Sequence, residues 1–185
     1  MNYRVISRRK TTPLSLVLFL LALGLTGCTA GGPPLSPNAK AFKKDVRGII
    51  NKLSAALAGP LSHNDAEAAK AAILSAYPTA GQDKDDFPFW LGAMTKDGIL
   101  LTALPPVPSI GQNFIDYQLV QTTLKNRRIN QTELFRPDGT PVYIVIAPVL
   151  VQGNCVGLVG LRLTAAQALK KWGITEQEFQ KMNLN

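Results

Sequence analysis

Between residues 87 and 163, short apolar segments alternate with glycine-containing turns, and this alternation restricts the chain to a fold built on antiparallel strands. The turn sequences are Lys96-Asp97-Gly98, Arg136-Pro137-Asp138-Gly139 and Gln152-Gly153-Asn154. Turns this short join neighbouring strands into hairpins, because a parallel neighbour needs a much longer connection. We therefore predict one antiparallel sheet of five strands, over residues 87–95, 99–104, 129–135, 141–151 and 155–163.

Helical segments precede, interrupt and follow the predicted strands. From residue 38 to 58 the apolar side chains recur on one helical face, and Gly59-Pro60 is expected to end this helix. An alanine-rich second helix is expected over 64–77, with Ser62 or Asn64 as its cap. A short crossing helix is expected over 116–125, and two helical pieces, 165–172 and 176–182, follow the sheet. This order predicts the α+β class.

The first 27 residues have the three parts of an export signal. A basic start with Arg4, Arg8, Arg9 and Lys10 precedes an apolar run over residues 14–25. As a helix this run reaches about 18 Å, which is too short for a hydrocarbon core of ~30 Å. It ends in Leu25-Thr26-Gly27-Cys28, which resembles the lipobox of bacterial lipoproteins. The resemblance implies cleavage before Cys28 and attachment of lipid to its thiol.

Lipidation at Cys28 would place the protein on the outer side of a membrane without a spanning helix, because two acyl chains suffice for stable anchoring. We divide the chain into a signal peptide (1–27), a tether rich in glycine and proline (28–37) and a single domain (38–185). In Gram-negative lipoproteins, an aspartate directly after the lipidated cysteine commonly retains the protein in the inner membrane. The lipoprotein resemblance therefore implies that this chain, with Thr29 at that position, is held on the periplasmic side of the outer membrane if the host is Gram-negative. The alternative is an ordinary signal peptide with a chance cysteine.

Charge and cysteine content exclude several functions. The formal charge of +8 falls to +4 once the four basic residues of the signal are removed, and no basic cluster is interleaved with aromatic residues. Nucleic acid is therefore not a predicted partner. Cys155 has no cysteine partner once Cys28 is lipidated, and His63 is the single histidine. We predict no metal, no cofactor and no catalytic residue, and the acids Asp83, Asp85 and Asp86 are expected to form a solvated loop.

The strand region carries a family resemblance. Its pieces, in chain order, are the hairpin Phe89-Trp90-Leu91-Gly92-Ala93 through Lys96-Asp97-Gly98, then Ile110-Gly111-Gln112-Asn113-Phe114 leading into Asp116-Tyr117, then Asp138-Gly139, and last Tyr143-Ile144-Val145-Ile146-Ala147-Pro148-Val149 with Val156-Gly157-Leu158-Val159-Gly160-Leu161. Together they resemble the Cache domains, PAS-like extracellular sensors of bacterial chemoreceptors and histidine kinases. The resemblance implies a small-molecule pocket between the sheet and the helix and loops that cover it.

Three aromatic residues are the candidate ligand-binding residues: Trp90, Tyr117 and Tyr143. An aromatic side chain supplies an apolar wall, and its N–H or O–H can orient a ligand. Trp90 and Tyr143 lie in predicted strands, so packing in the core is the alternative for both. Many Cache domains also carry an arginine at the start of the crossing helix that helps to bind a carboxylate. Here that stretch reads Asp116-Tyr117-Gln118-Leu119, and Arg136 beside a turn is expected to be solvated, which favours a neutral ligand, or none.

The leading hypothesis is a membrane-anchored extracytoplasmic sensory module that binds a small molecule. Cache sensors usually signal through a transmembrane helix, and no such segment follows the domain in this sequence. A separate signalling or envelope protein is therefore the expected partner. The alternative is a structural or protein-interaction lipoprotein of the envelope without a ligand, and an enzyme is not expected.

Overall fold

The structure is a computed structural model that describes residues 35–80 and 87–185. The predicted signal peptide, Cys28, most of the tether and the loop with Asp83, Asp85 and Asp86 lie outside the described residues. No helix in the described ranges has the length and apolar character that crossing a membrane requires.

Five strands form a single antiparallel sheet, as the hairpin pattern predicts. They are β1 (Trp90–Thr95), β2 (Leu100–Leu104), β3 (Asn130–Phe135), β4 (Pro141–Val151) and β5 (Asn154–Thr164). The order across the sheet is β2-β1-β5-β4-β3, so the first and last strands of the sequence are neighbours at its centre. The connection from β2 to β3 crosses from one edge of the sheet to the other, and it contains the predicted crossing helix. The predicted α+β class with five antiparallel strands is confirmed.

Within residues 35–80 and 87–185, five helices accompany the sheet: α1 (Pro37–Ser62), α2 (Ala66–Ala76), α3 (Gln118–Asn126), α4 (Ala165–Trp172) and α5 (Glu176–Lys181). The expectation that Gly59-Pro60 ends the first helix is wrong, because α1 continues through both residues. Pro60 removes only one hydrogen-bond donor near the end of the helix, and burial of Leu61 on the core side offsets that loss.

The second helix starts two residues later than expected. Its cap is Asp65, whose carboxylate accepts a hydrogen bond of 2.9 Å from the backbone N–H of Ala68. The predicted caps Ser62 and Asn64 are therefore wrong. Ser62 belongs to the last turn of α1, where its hydroxyl donates to the Ala58 carbonyl at 2.7 Å.

One face of the sheet, which we call the covered face, packs against α1 and forms the main core. Alternate residues of the central strands point to it, among them Leu91, Tyr143, Val159 and Leu161. Phe42 of α1 is fully buried and packs edge-on against Trp172 and Phe179. The centre of its ring lies 5.3 Å from that of Trp172 and 6.2 Å from that of Phe179. Burial of this apolar surface supplies most of the stabilisation of the fold.

Candidate ligand-binding site

The opposite face of the sheet, which we call the loop face, is overlaid by loop 105–117 and by α3. The strand residues that alternate with those of the covered face lie on this side: Trp90, Gly92 and Met94 from β1, Ile144 and Ile146 from β4, and Leu158, Gly160 and Arg162 from β5. Two directly opposed pairs in the sheet, Trp90 with Arg162 and Gly92 with Gly160, lie side by side on this face.

The first cavity lies above the glycine pair and has a volume of about 610 Å³. Gly92 and Gly160 leave space because neither has a side chain, and a Cβ added at Gly160 would meet only the Met94 Cε atom, at 3.9 Å. The walls are mainly apolar and come from the sheet and from the proline-rich loop, with Met94, Leu100, Pro106, Val107, Phe114 and Ile144 among them. A cavity of this size and polarity suits a small organic molecule.

Two arginine side chains line the first cavity. The Arg162 Cζ atom lies 3.5 Å from the centre of the Trp90 ring, a cation–π contact that holds the guanidinium over the indole. Burial lowers the pKa of Arg162, and the positive charge of Arg136 lowers it further. Arg136 is exposed at the rim of the cavity, as its position beside a turn predicts.

The second cavity, of about 590 Å³, lies between α3 and the β3–β4 side of the sheet. Tyr117, Gln118 and Thr122 line it from above, and Asn130 and Thr132 of β3 line it from below. It therefore offers hydroxyl and amide groups where the first cavity offers guanidinium groups. The two cavities share four lining residues, Met94, Phe114, Ile144 and Ile146. They therefore adjoin one another on the loop face.

The structure brings two of the three predicted aromatic residues to the loop face. Trp90 lines the first cavity, and Tyr117 lines the second with 57% of its surface exposed and its ring 5.3 Å from that of Phe114. Tyr143 is on the covered face, 1% exposed, and its ring stacks on Phe179 at 4.0 Å. Tyr143 therefore packs in the core, which the sequence analysis gives as the alternative to ligand binding for this residue. Ligand binding by Trp90 and Tyr117 stays a prediction.

Sequence reasoning missed Arg162 and the glycine pair. The available signal was a single arginine within the apolar strand 155–163, two residues after Gly160 and therefore on the same face of the strand. No group of three or more potential metal-binding side chains is present within residues 35–80 and 87–185.

The chain is similar to several solved sensor domains at low sequence identity. One is the ligand-binding domain of an amino acid chemoreceptor from Pseudomonas aeruginosa PAO1 in complex with GABA, with 15% identity and a TM-score of 0.51 over 71% of this chain and 61% of that one. Another is the periplasmic sensory domain of a Campylobacter jejuni chemoreceptor, with 11% identity and a TM-score of 0.46 over 72% of this chain and 59% of that one. A third is the sensor domain of a histidine kinase from V. cholerae, with 12% identity and a TM-score of 0.39 over 74% and 61%.

These comparisons concern the fold. The likeness to the Pseudomonas domain shows that the chain has the fold of the Cache-like, PAS-related sensor domains, as the sequence resemblance predicts. The chain spans about 61% of the length of that structure. Neither a protein-family model nor a curated protein matches the sequence.

Proposed function

We propose that the protein is a membrane-anchored, extracytoplasmic sensory module that binds a small molecule on the loop face and acts through a separate partner. The observation that carries the proposal is the pair of adjoining cavities beneath loop 105–117 and α3. They lie on the side of the sheet away from α1, where the main core does not depend on filling them. A ligand bound there would contact the crossing segment directly, and movement of that segment could report occupancy to a partner.

The fold supports a binding role more than a catalytic one. The Pseudomonas structure that shares this fold is a ligand-binding domain of a chemoreceptor, and it was solved with GABA bound. We assign no catalytic residue and no cofactor to this chain. Trp90 and Tyr117 are the aromatic residues that we expect to contact the ligand, one in each cavity.

The test is a thermal-shift screen of the full chain in mild detergent against amino acids, carboxylates, polyamines, purines and neutral metabolites. A ligand that binds only the native state at a hundredfold excess over its Kd adds ~2.7 kcal/mol of stability. Trp90→Ala or Tyr117→Ala should abolish the shift given by a true ligand. Leu169→Ala is the matched control, since Leu169 is also 57% exposed but lines neither cavity. A hit that all three variants retain would refute binding at this site.

Anchoring by lipid on Cys28 is the second part of the proposal, and it rests on the lipobox-like sequence. Labelling of the bacterial host with radioactive palmitate should mark the wild-type protein and leave Cys28→Ala unlabelled. The labelled protein should sediment with membranes, on the periplasmic side of the outer membrane if the host is Gram-negative. Labelling that persists in Cys28→Ala would refute this anchor.

A second candidate function is a structural or protein-interaction lipoprotein without a ligand. It is favoured by large apolar side chains at the surface, including Phe135, 67% exposed, and Leu150, 45% exposed. A photo-crosslinking residue at position 135 should then give specific cross-linked products in cells, and no compound should raise the melting temperature. A ligand that acts through Trp90 or Tyr117 would decide in favour of the sensory module.

A further inference from the structure

The start of α1 and the β3–β4 turn lie at the same end of the sheet, which we call the entry end. Leu61, in the last turn of α1, lies beside Gly157 of β5, so the start of α1 is at the opposite end of the strands. Val149, near the end of β4, pairs with Gly157, so β4 also begins far from that glycine. The chain therefore passes from the predicted tether into the domain at the end that carries the β3–β4 turn.

The length of the tether limits how far the entry end can be from the membrane. If Cys28 is lipidated, the chain from Cys28 to Leu35 advances by seven residues and reaches about 25 Å at most when fully extended. With its 26 residues, α1 is about 39 Å long. The tether is therefore too short for the domain to turn its opposite end to the bilayer, and the entry end is the part that can meet the surface.

The exposed side of α1 carries a basic stripe near the entry end, formed by Lys40, Lys44 and Arg47. Their spacing of four and three residues puts them on one face of the helix, away from the buried side chains of Phe42 and Val46. In the described part of the chain, none of the three side chains makes a hydrogen bond or an ion pair. The first turn of α1 contains no acid, and a cation as near as Lys40 to the positive end of the helix dipole opposes helix formation. The stability of α1 therefore does not explain the basic stripe.

The acids near the basic stripe are engaged by neutral donors of the chain. They and their partners are Glu178 with Ser36, Asp138 with Thr140, and Asp45 with the indole N–H of Trp172. Because none of these acids pairs with the basic stripe, its charge stays available to an external anion.

Phe135, the last residue of β3, is an aromatic side chain at the entry end with 67% of its surface exposed. It alternates with Gln131 and Glu133, whose side chains form hydrogen bonds to residues 179–182 on the covered face. Phe135 therefore projects on the same side of the sheet as α1. Arg136, also exposed, follows it directly. Exposed apolar side chains next to lysine and arginine are typical of protein surfaces that lie in the membrane interface.

We propose that the entry end docks on a bilayer surface that carries anionic lipid, with Phe135 at the level of the headgroups and the basic stripe against them. This inference rests on the anchoring part of the proposed function and adds an orientation to it. Because α1 and Phe135 lie on the same side of the sheet, docking turns the loop face away from the bilayer. Both cavities then stay open to a ligand, whereas a tether alone would leave the domain free to rotate.

The experiment measures the depth of position 135 in vesicles. The lipidated protein carries an environment-sensitive fluorescent amino acid at position 135 or, as the matched control, at position 150. Leu150 is also apolar and exposed, at 45%, but it lies at the opposite end of the sheet, where it pairs with Cys155. The vesicles contain lipids brominated near the carbonyl end of the acyl chains, and they consist of phosphatidylcholine alone or with about one third phosphatidylglycerol. In the anionic vesicles, quenching at position 135 should be about threefold or more above that at position 150 and above that in the neutral vesicles.

Two charge variants locate the effect. The first removes the basic stripe by the substitutions Lys40→Gln, Lys44→Gln and Arg47→Gln. The control removes the same charge from three exposed positions around the opposite end of the sheet, by Lys96→Gln, Lys125→Gln and Arg128→Gln. The first variant should lower quenching at position 135 to the value in neutral vesicles, as should salt at about 0.5 M, and the control should leave it unchanged. Circular dichroism and the melting temperature of each variant establish that it is folded.

Two kinds of result would overturn the docking inference while anchoring through Cys28 stands. One is equal quenching at positions 135 and 150, or quenching at 135 that depends on neither anionic lipid nor the basic stripe. The other is absence of quenching in vesicles together with specific protein products from a photo-crosslinking residue at position 135 in cells, which would assign Phe135 to a protein partner. If the protein carries no palmitate label and does not join vesicles, the anchor itself is contradicted, and the docking with it.

Discussion

Gly157→Ala tests how tightly the covered face is packed. Gly157 is in β5 opposite Thr95, and a Cβ at this position would lie 2.5 Å from the Met94 carbonyl oxygen and 3.0 Å from both methyl groups of Leu61. The Leu61 side chain can rotate, but the carbonyl belongs to the backbone of β1, so the two strands must move apart. Such overpacking costs typically ~1–3 kcal/mol.

The opposing effect of the substitution is small. Replacing glycine by alanine lowers the conformational entropy of the unfolded chain, which raises the free energy of unfolding by ~0.4–1 kcal/mol. The net expectation is a loss of ~1–2 kcal/mol in the free energy of unfolding, with the melting temperature falling by ~2–4 °C for each kcal/mol. Urea unfolding followed by far-UV circular dichroism measures it, and the slope m should stay constant because the folded surface is unchanged.

Gly160→Ala is the matched control. It makes the same chemical change three residues along the same strand, but its Cβ projects into the first cavity with only the Met94 Cε atom nearby, at 3.9 Å. Its stability should be equal to that of the wild type or higher by up to ~1 kcal/mol. Equal unfolding midpoints for the two variants, or a larger loss at Gly160, would refute the assignment of Gly157 to a tight covered face and Gly160 to open space.

Three further variants test the core, a helix cap and a buried hydroxyl. Phe42→Ala should lower the free energy of unfolding by ~3–5 kcal/mol in urea, because Phe42 is fully buried, whereas Leu169→Ala, at a site 57% exposed, should change it little. Asp65→Ala should cost ~1 kcal/mol by removing the cap of α2, and Asp65→Asn should recover most of it. Burial, with the charges of neighbouring carboxylates, raises the pKa of Tyr143 to about 12. The Tyr143 phenol therefore ionises near pH 10 in the unfolded chain but only near pH 12 in the folded one. As the pH rises from 10 to 12, the free energy of unfolding of the wild type should fall by ~2–3 kcal/mol relative to that of Tyr143→Phe, as measured by urea unfolding across this range.

The sequence predicted most of the fold because its elements are bounded by residues with strong local preferences. Gly139 and Gly153 adopt positive φ angles of 80° in the turns that flank β4, and the strand between them has the predicted bounds Pro141–Val151. Gly173 ends α4 in the same way, with φ of 67°. The error at Gly59-Pro60 has a different origin. There a tertiary contact, the burial of Leu61, outweighs the local preference to end the helix.

The site was less predictable, because it depends on which face of each strand is covered. In β4 both alternating sets are apolar, so periodicity alone does not say whether Tyr143 or its neighbour Ile144 faces α1. The pairing of Gly92 with Gly160, which gives the first cavity its floor, appears only when β1 and β5 are placed side by side. These strands are separated by about 60 residues in the chain, and no local pattern specifies their register.

The two faces of the sheet divide stability from binding. The covered face is filled by large side chains such as Phe42 and Leu161, and even a small change in side-chain volume there is expected to lower the free energy of unfolding. The loop face has glycines at the centre of its floor, and a partly buried arginine whose charge no described acid offsets. Burial of that charge opposes folding, and the cation–π contact of Arg162 with the Trp90 ring offsets part of that cost. Because β5 contributes to both faces, substitutions at its even-numbered positions 160 and 162 should alter binding with little loss of stability, and those at 157, 159 and 161 should do the reverse.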